Sequence, residues 1–222
     1  MQMIDNRFVV DQAKKLRRSL WHYRKDLTIE NIDDHIQILN PIVAAEFLDL
    51  IYEKPEEIEY YDGQKEIAGM LIRPEKKIVI AQKFPPEFRI FTAAHEIGHW
   101  ACHRDLISHR DISLDGSIIS SNIQERQANL FAAELLMPSK LVETELKLRF
   151  PMFFGQFIFN DDTAFILGED LRTLREMPTR YRSVKVASVA PYGGMYLNSM
   201  HQRFKVSKTA MAIRLETLGF VK

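Results

Sequence analysis

The chain of 222 residues has a single cysteine, Cys102, so no intramolecular disulfide can staple it. It also lacks long apolar runs; its longest are a few residues, far short of the roughly 20 that span a bilayer. Neither sign of charge is in excess, since Lys plus Arg and Asp plus Glu number 30 each, and no global field for nucleic acid results. The N-terminal stretch MQMIDNRFVVDQAKKLRR reaches charge too early for a secretory h-region. No internal repeat or low-complexity tract is visible. These absences predict a soluble protein of the reducing cytoplasm. What remains is ordinary for a globular chain, 46% apolar and 27% charged, and long enough for one large domain or a core with appendages.

Hydrophobic spacing predicts a basic amphipathic helix over 10–25, with Leu16, Leu20 and Tyr23 on one face. Its basic residues read as a solvated face in preference to a phosphate-binding one. Helices are also predicted over 28–38 and 41–53, the second opened by Asn40 as N-cap and Pro41 at the first helical position. After Pro55 the pattern turns to β: IEYY (58–61), AGMLIR (68–73) and KIVIAQ (77–82), separated by DGQK and PEKK, predict a small antiparallel sheet or meander. Pro85 and Pro86 precede a helix to about His103, and a loop rich in Asp, Ser and Gly covers 111–122. A further helix over 123–137 ends at Pro138, and KLVETELKLRF continues as another. FPMFFGQFIF (150–159) reads as a buried or partly buried apolar segment. The expected organisation is a helical segment over 1–55, a core over 56–149 and a helical region over 150–222.

Within the long helix, FTAAHEIGHWACHRD (91–105) sets His95, His99 and His103 four apart around Glu96. Residues i and i+4 on a helix differ by about 40° and one turn, so His95 and His99 can share one zinc ion. Glu96 follows the first histidine and can approach a water at the ion without ligating the metal. The chemistry requires that separation: zinc acidifies the water, and a carboxylate takes its proton as it attacks a carbonyl. Gly98 inside a helix costs about 1 kcal/mol in propensity, which suggests close packing or access to the metal.

A third ligand is needed. His103 lies about 12 Å along the axis from His95, too far for one ion to reach both from a continuous helix. It reads as an end-of-helix residue, favourable near the C-terminal dipole if charged. His109 in the loop stays open. Glu125 is the better candidate, with Asn129 on the same face of the next helix to orient a ligand histidine through its second ring nitrogen. Gln124 is a neutral amide, leaving Glu125 the only acid of that first turn. Glu134 points about 180° away and reads as structural or solvent-facing.

FTAAHEIGHW followed by ERQANLFAAELLMP resembles the ImmA/IrrE family of zinc metallopeptidases, with its AHEIGH helix and E-x-x-A-N-x-F-A-x-x-L-L-M-P helix. The strand KIVIA and the Arg89–Phe91 lead-in are similar as well, so the resemblance covers roughly 77–138. It implies zinc held by His95, His99 and Glu125, with Glu96 as catalytic base. It also implies an α+β fold, with a mostly helical thermolysin-like (gluzincin) core and a small sheet whose edge strand can pair with an extended substrate. Better-known members cleave helix-turn-helix repressors, releasing stress-response or mobile-element genes, so the resemblance implies a repressor as protein substrate. A transition-state stabiliser is expected opposite Glu96, with Tyr181, Tyr192 and His201 as unranked candidates.

The last residues, MYLNSMHQRFKVSKTAMAIRLETLGFVK (195–222), read as helix, short turn at Val206 and Ser207, helix. Leu197, Met200, Phe204, Val206, Met211, Ile213 and Leu215 would pack the pair, and Ser207 is a good N-cap. As a DNA reader the second helix would present Lys208, Thr209 and Arg214 to a groove. The neutral net charge favours a role in fold support or substrate binding. The competing functional reading is a non-enzymatic DNA-binding or toxin–antitoxin regulator with a structural zinc.

Overall fold

The computed structural model describes residues 5–27, 34–58, 67–104, 122–191 and 197–222, and the backbone of 108–112. Its contacts divide into two units, Met1–Leu136 and Met137–Lys222.

In the first unit, the Asp5 side chain accepts from Arg7 N and opens helix α1, Asn6–His22. The helix thus begins four residues before its expected start, because the cap lies upstream of the hydrophobic stripe. Val9, Ala13, Leu16 and Leu20 form the buried stripe, whereas Tyr23 lies at the C-cap and is exposed. Helix α2, Pro41–Phe47, opens as expected on Asn40, whose side chain accepts from Ile42 N. It stops well short of residue 53. Asp49 takes a left-handed conformation (φ 55°), the chain reverses, and Ile51–Glu53 becomes strand β1. Of the helix expected over 28–38, residues 28–33 lie outside the described residues and Gln37–Leu39 form a single 3-10 turn. Residues 59–66, which carry most of the expected first strand and the DGQK turn, also lie outside them.

Strands β2 (Ile67–Ile72) and β3 (Lys77–Ile80) form an antiparallel hairpin through a 3-10 turn at Arg73–Glu75, closed by Lys76 at φ 48°. The sheet is mixed, not purely antiparallel, because β1 pairs parallel with β3. Strand β4, Ser108–Ile112, pairs antiparallel with β2, so part of the expected loop is a strand. The sheet order is β1-β3-β2-β4, with β4 at one edge. Helix α3 (Pro86–Cys102) packs on β2 and β3, and helix α4 (Ile123–Leu136) packs against both α3 and α1.

The second unit is helical: α5 (Ser139–Arg149), α6 (Asp161–Leu167), α7 (Leu171–Glu176), α8 (Thr179–Ser188), α9 (Met200–Phe204) and α10 (Lys208–Thr217). The Phe-rich segment joins α5 to α6, with Phe150, Phe153 and Phe157 buried, while Phe154 stands 77% exposed. Ser207 caps α10, accepting from Ala210 N, and Lys205 ends α9 in the left-handed region. Two buried arginines tie this unit together. Arg149 Nε donates to Asn198 O (2.8 Å) and its Nη1 pairs with Glu145; Arg214 Nε donates to Met137 O (2.8 Å). Arg149→Ala strips Asn198 O of its donor, while Glu145 keeps Arg203 Nε at 3.1 Å, so the change is expected to cost about 1–3 kcal/mol, read as a lower midpoint in urea unfolding.

Candidate metal centre

Helix α3 is walled in by the sheet and by α4. Thr92, Ala93, Ala94, His95, Glu96, Ile97, Gly98 and His99 are consecutive buried residues, a pattern that only a helix covered on nearly all sides can show. Two glycines permit the close approach. A Cβ on Gly69 of β2 would lie 2.4 Å from Thr92 Cγ2 and 3.4 Å from Glu96 Cγ. A Cβ on Gly98 would lie 3.1 Å from Phe131 Cβ and 3.2 Å from both Cα and O of Ala128. Gly98 is therefore where α3 and α4 approach tightly, against the Ala128 backbone. Gly98→Ala gains about 1 kcal/mol of helix propensity, yet must push the α4 backbone away at about 1–3 kcal/mol. The net expectation is a lower urea midpoint; a raised midpoint would show that α4 yields freely.

The packing brings His95, His99 and Glu125 together, with one ligand atom from each lying within 4.8 Å of the others. The two Nε2 atoms are 3.0 Å apart. Glu125 Oε2 is 3.3 Å from His95 Nε2, and Oε1 is 3.6 Å from His99 Nε2. Donors 2.0–2.1 Å from a tetrahedral zinc are separated by about 3.3–3.4 Å. The observed triangle fits one face of that tetrahedron.

The outer ring nitrogens decide which protons the histidines carry. His95 Nδ1 lies 2.8 Å from Asn129 Oδ1 and donates to it. His103 Nε2 lies 3.1 Å from Gln127 Oε1 and donates to that oxygen. A neutral His103 then accepts at Nδ1, 3.0 Å from His99 Nδ1, so His99 donates there. Both Nε2 atoms are left as lone pairs aimed at one point. That is the protonation state a divalent cation requires.

His103 does more than end the helix. It is the C-cap of α3, as expected, but it is buried and seated between His99 and Gln127. The same i, i+4 spacing that pairs His95 with His99 pairs His99 with His103, and this is the signal that marks it. Gln127, two residues past Glu125, carried no such signal. Glu96 is fully buried, its Cγ against β2. Glu134 pairs with Arg17 of α1 (3.9 Å), in keeping with a structural reading. The backbone of His109 lies in β4, and its side chain lies outside the described residues. Tyr192 is also outside them, while Tyr181 (exposed) and His201 belong to the second unit. Arg73 donates to His99 O (2.9 Å), Trp100 O (3.3 Å) and His103 O (3.0 Å), holding the last carbonyls of α3 with a cation at the helix C-terminus. Cys102 is buried, and desolvation pushes its thiol up to about 12, leaving an inert side chain.

Residues 53–152 match the family profile described as the IrrE N-terminal-like domain. The chain carries a metallopeptidase domain of the ImmA/IrrE family. Among curated proteins none matches the chain. The stretch matched to the IrrE N-terminal-like domain takes in β2, β3, α3, β4 and α4, and with them every residue of the His–His–Glu cluster.

No described helix is long and apolar enough to cross a membrane.

Proposed function

We propose that the protein is a zinc-dependent endopeptidase of gluzincin type that cleaves a regulatory protein, with a helix-turn-helix repressor as the substrate class, and so derepresses stress-response or mobile-element genes. The observation that carries the peptidase reading is the meeting of His95, His99 and Glu125 from two helices, with both histidines held in the metal-binding tautomer. The repressor class rests on the family resemblance.

His95, His99 and Glu125 would hold zinc, which when bound supplies Lewis acidity to polarise a peptide carbonyl and acidify water. Glu96 takes the proton of the attacking water on its carboxylate and passes it to the leaving amide nitrogen. Its burial keeps bulk water from competing for that proton. Asn129 fixes His95, while the His103–Gln127 pair fixes His99. Strand β4 closes one edge of the sheet, and an extended substrate segment can add to it by main-chain hydrogen bonds. A DNA-reading role for the C-terminal helix pair loses support from Arg214, which is buried and bonded to Met137 O instead of facing a groove.

Outer partners of ligand histidines typically set 10–100-fold of affinity or activity. His103→Ala is therefore expected to weaken zinc binding by about 10–100-fold, measured by competition with a chelating dye. Unchanged affinity would remove His103 from the site. The substrate class is tested by incubating the zinc-loaded protein with purified repressors, first one encoded beside it, with and without chelator. Chelator-sensitive fragments support the reading; intact repressors across such a panel would count against it.

A further inference from the structure

A cavity of about 550 Å³ opens between α1, the end of α2 and the last turn of α3, all within the first unit. Its walls include Leu16, Phe47 and Trp100, and its ionisable lining among the described residues is Lys15, Arg73 and Arg104. In a chain whose charges balance overall, three cations and, among the described residues, no acid line one apolar cavity and form a local excess. The volume falls in the range of about 300–1,000 Å³ usual for small-molecule sites.

The three cations are placed differently. Arg73 is held in the wall, its guanidinium 4.6 Å from the centroid of the Trp100 ring and hydrogen-bonded to the α3 carbonyls. Lys15 and Arg104 are exposed at the rim, and neither forms an ion pair with a described residue. Arg17 of the same helix is paired with Glu134, whereas Lys15 lines this cavity.

We propose that the cavity is a binding site for a small organic anion with an apolar or aromatic body. Its carboxylate or phosphate meets Lys15, Arg104 and Arg73, and its body lies against Trp100, Phe47 and Leu16. A polyanion such as nucleic acid would need a charged stripe, not an apolar pocket with a cationic mouth. An inorganic anion would leave the apolar walls unused. Since Arg73 also holds the carbonyls of His99 and His103, the ligand would touch the side chain that terminates the metal helix.

The test is a fluorescence titration of the whole protein with anilinonaphthalene sulfonate, an aromatic anion, against its neutral analogue phenylnaphthylamine. It reads binding alone and is independent of peptidase activity. The anion should bind at one saturable site, about tenfold or more tighter than the neutral analogue, as charge-assisted hydrogen bonds require. The double variant Lys15→Glu/Arg104→Glu changes two exposed side chains and should weaken the anion by about tenfold or more while leaving the neutral probe unaffected. The milder Arg104→Gln should weaken it in the same direction, with the thermal midpoint unchanged. Displacement by phenyl phosphate at lower concentration than by benzoate assigns a phosphate head group, and the reverse order a carboxylate. Anion binding that is absent, equal to that of the neutral analogue, or untouched in both variants overturns the proposal.

Discussion

Glu96→Gln is expected to keep its zinc and to lose peptide cleavage by about 10²–10⁴-fold, the range that a positioned general base supplies. Gln preserves the shape of the side chain, so its Cγ still packs on Gly69 and α3 stays seated on β2. Glu96 is not among the three clustered donors, so the metal should remain. What disappears is the carboxylate that takes the proton of the attacking water. Metal content by mass spectrometry and cleavage rate on the same sample check both halves. Full cleavage by the zinc-loaded variant would remove Glu96 as the base. Loss of zinc together with cleavage would instead make it part of the metal's support.

Glu125→Ala should do the opposite, stripping the metal while leaving the fold. The apolar face of α4, Ala128, Phe131 and Leu135, remains buried, so the helix stays packed. Four-donor structural zinc sites are worth about 10–16 kcal/mol, or about 2.5–4 kcal/mol per donor. Removing one donor is then expected to weaken zinc binding by about 10²–10³-fold, with the unfolding midpoint of the metal-free protein nearly unchanged. A variant that binds zinc like the parent would show that the third donor lies elsewhere.

The elements that position the site were legible because local signals and global packing agree there. Pro85 and Pro86 open α3, Pro138 follows α4, and the i, i+4 pairs His95–His99 and Glu125–Asn129 each lie on one face. The His95–Asn129 contact joins the two faces across the helices. Elsewhere the decisive physics is non-local or conformational. Nothing in the text around Asp49 announces the left-handed turn that ends α2 and frees β1. SHRDI, the β4 segment, is too polar to read as a strand, and only pairing with β2 makes it one. The three short helices α6, α7 and α8 carry weak periodicity, although the capping residues Asn160 and Asp170 do mark two of their starts. His103 lies too far along the axis to share an ion with His95, yet its i, i+4 spacing from His99 places it to support that ligand.

The proposed peptidase activity depends on one zinc held by His95, His99 and Glu125. The most direct measurement is cleavage of a repressor substrate by protein that is chelator-stripped and then reloaded with one equivalent of zinc, with the Glu125→Ala variant alongside. Cleavage is expected to be abolished by stripping, restored by zinc in the parent, and not restored at that stoichiometry in the variant. Cleavage that survives stripping, or that zinc restores equally in both proteins, would contradict that dependence.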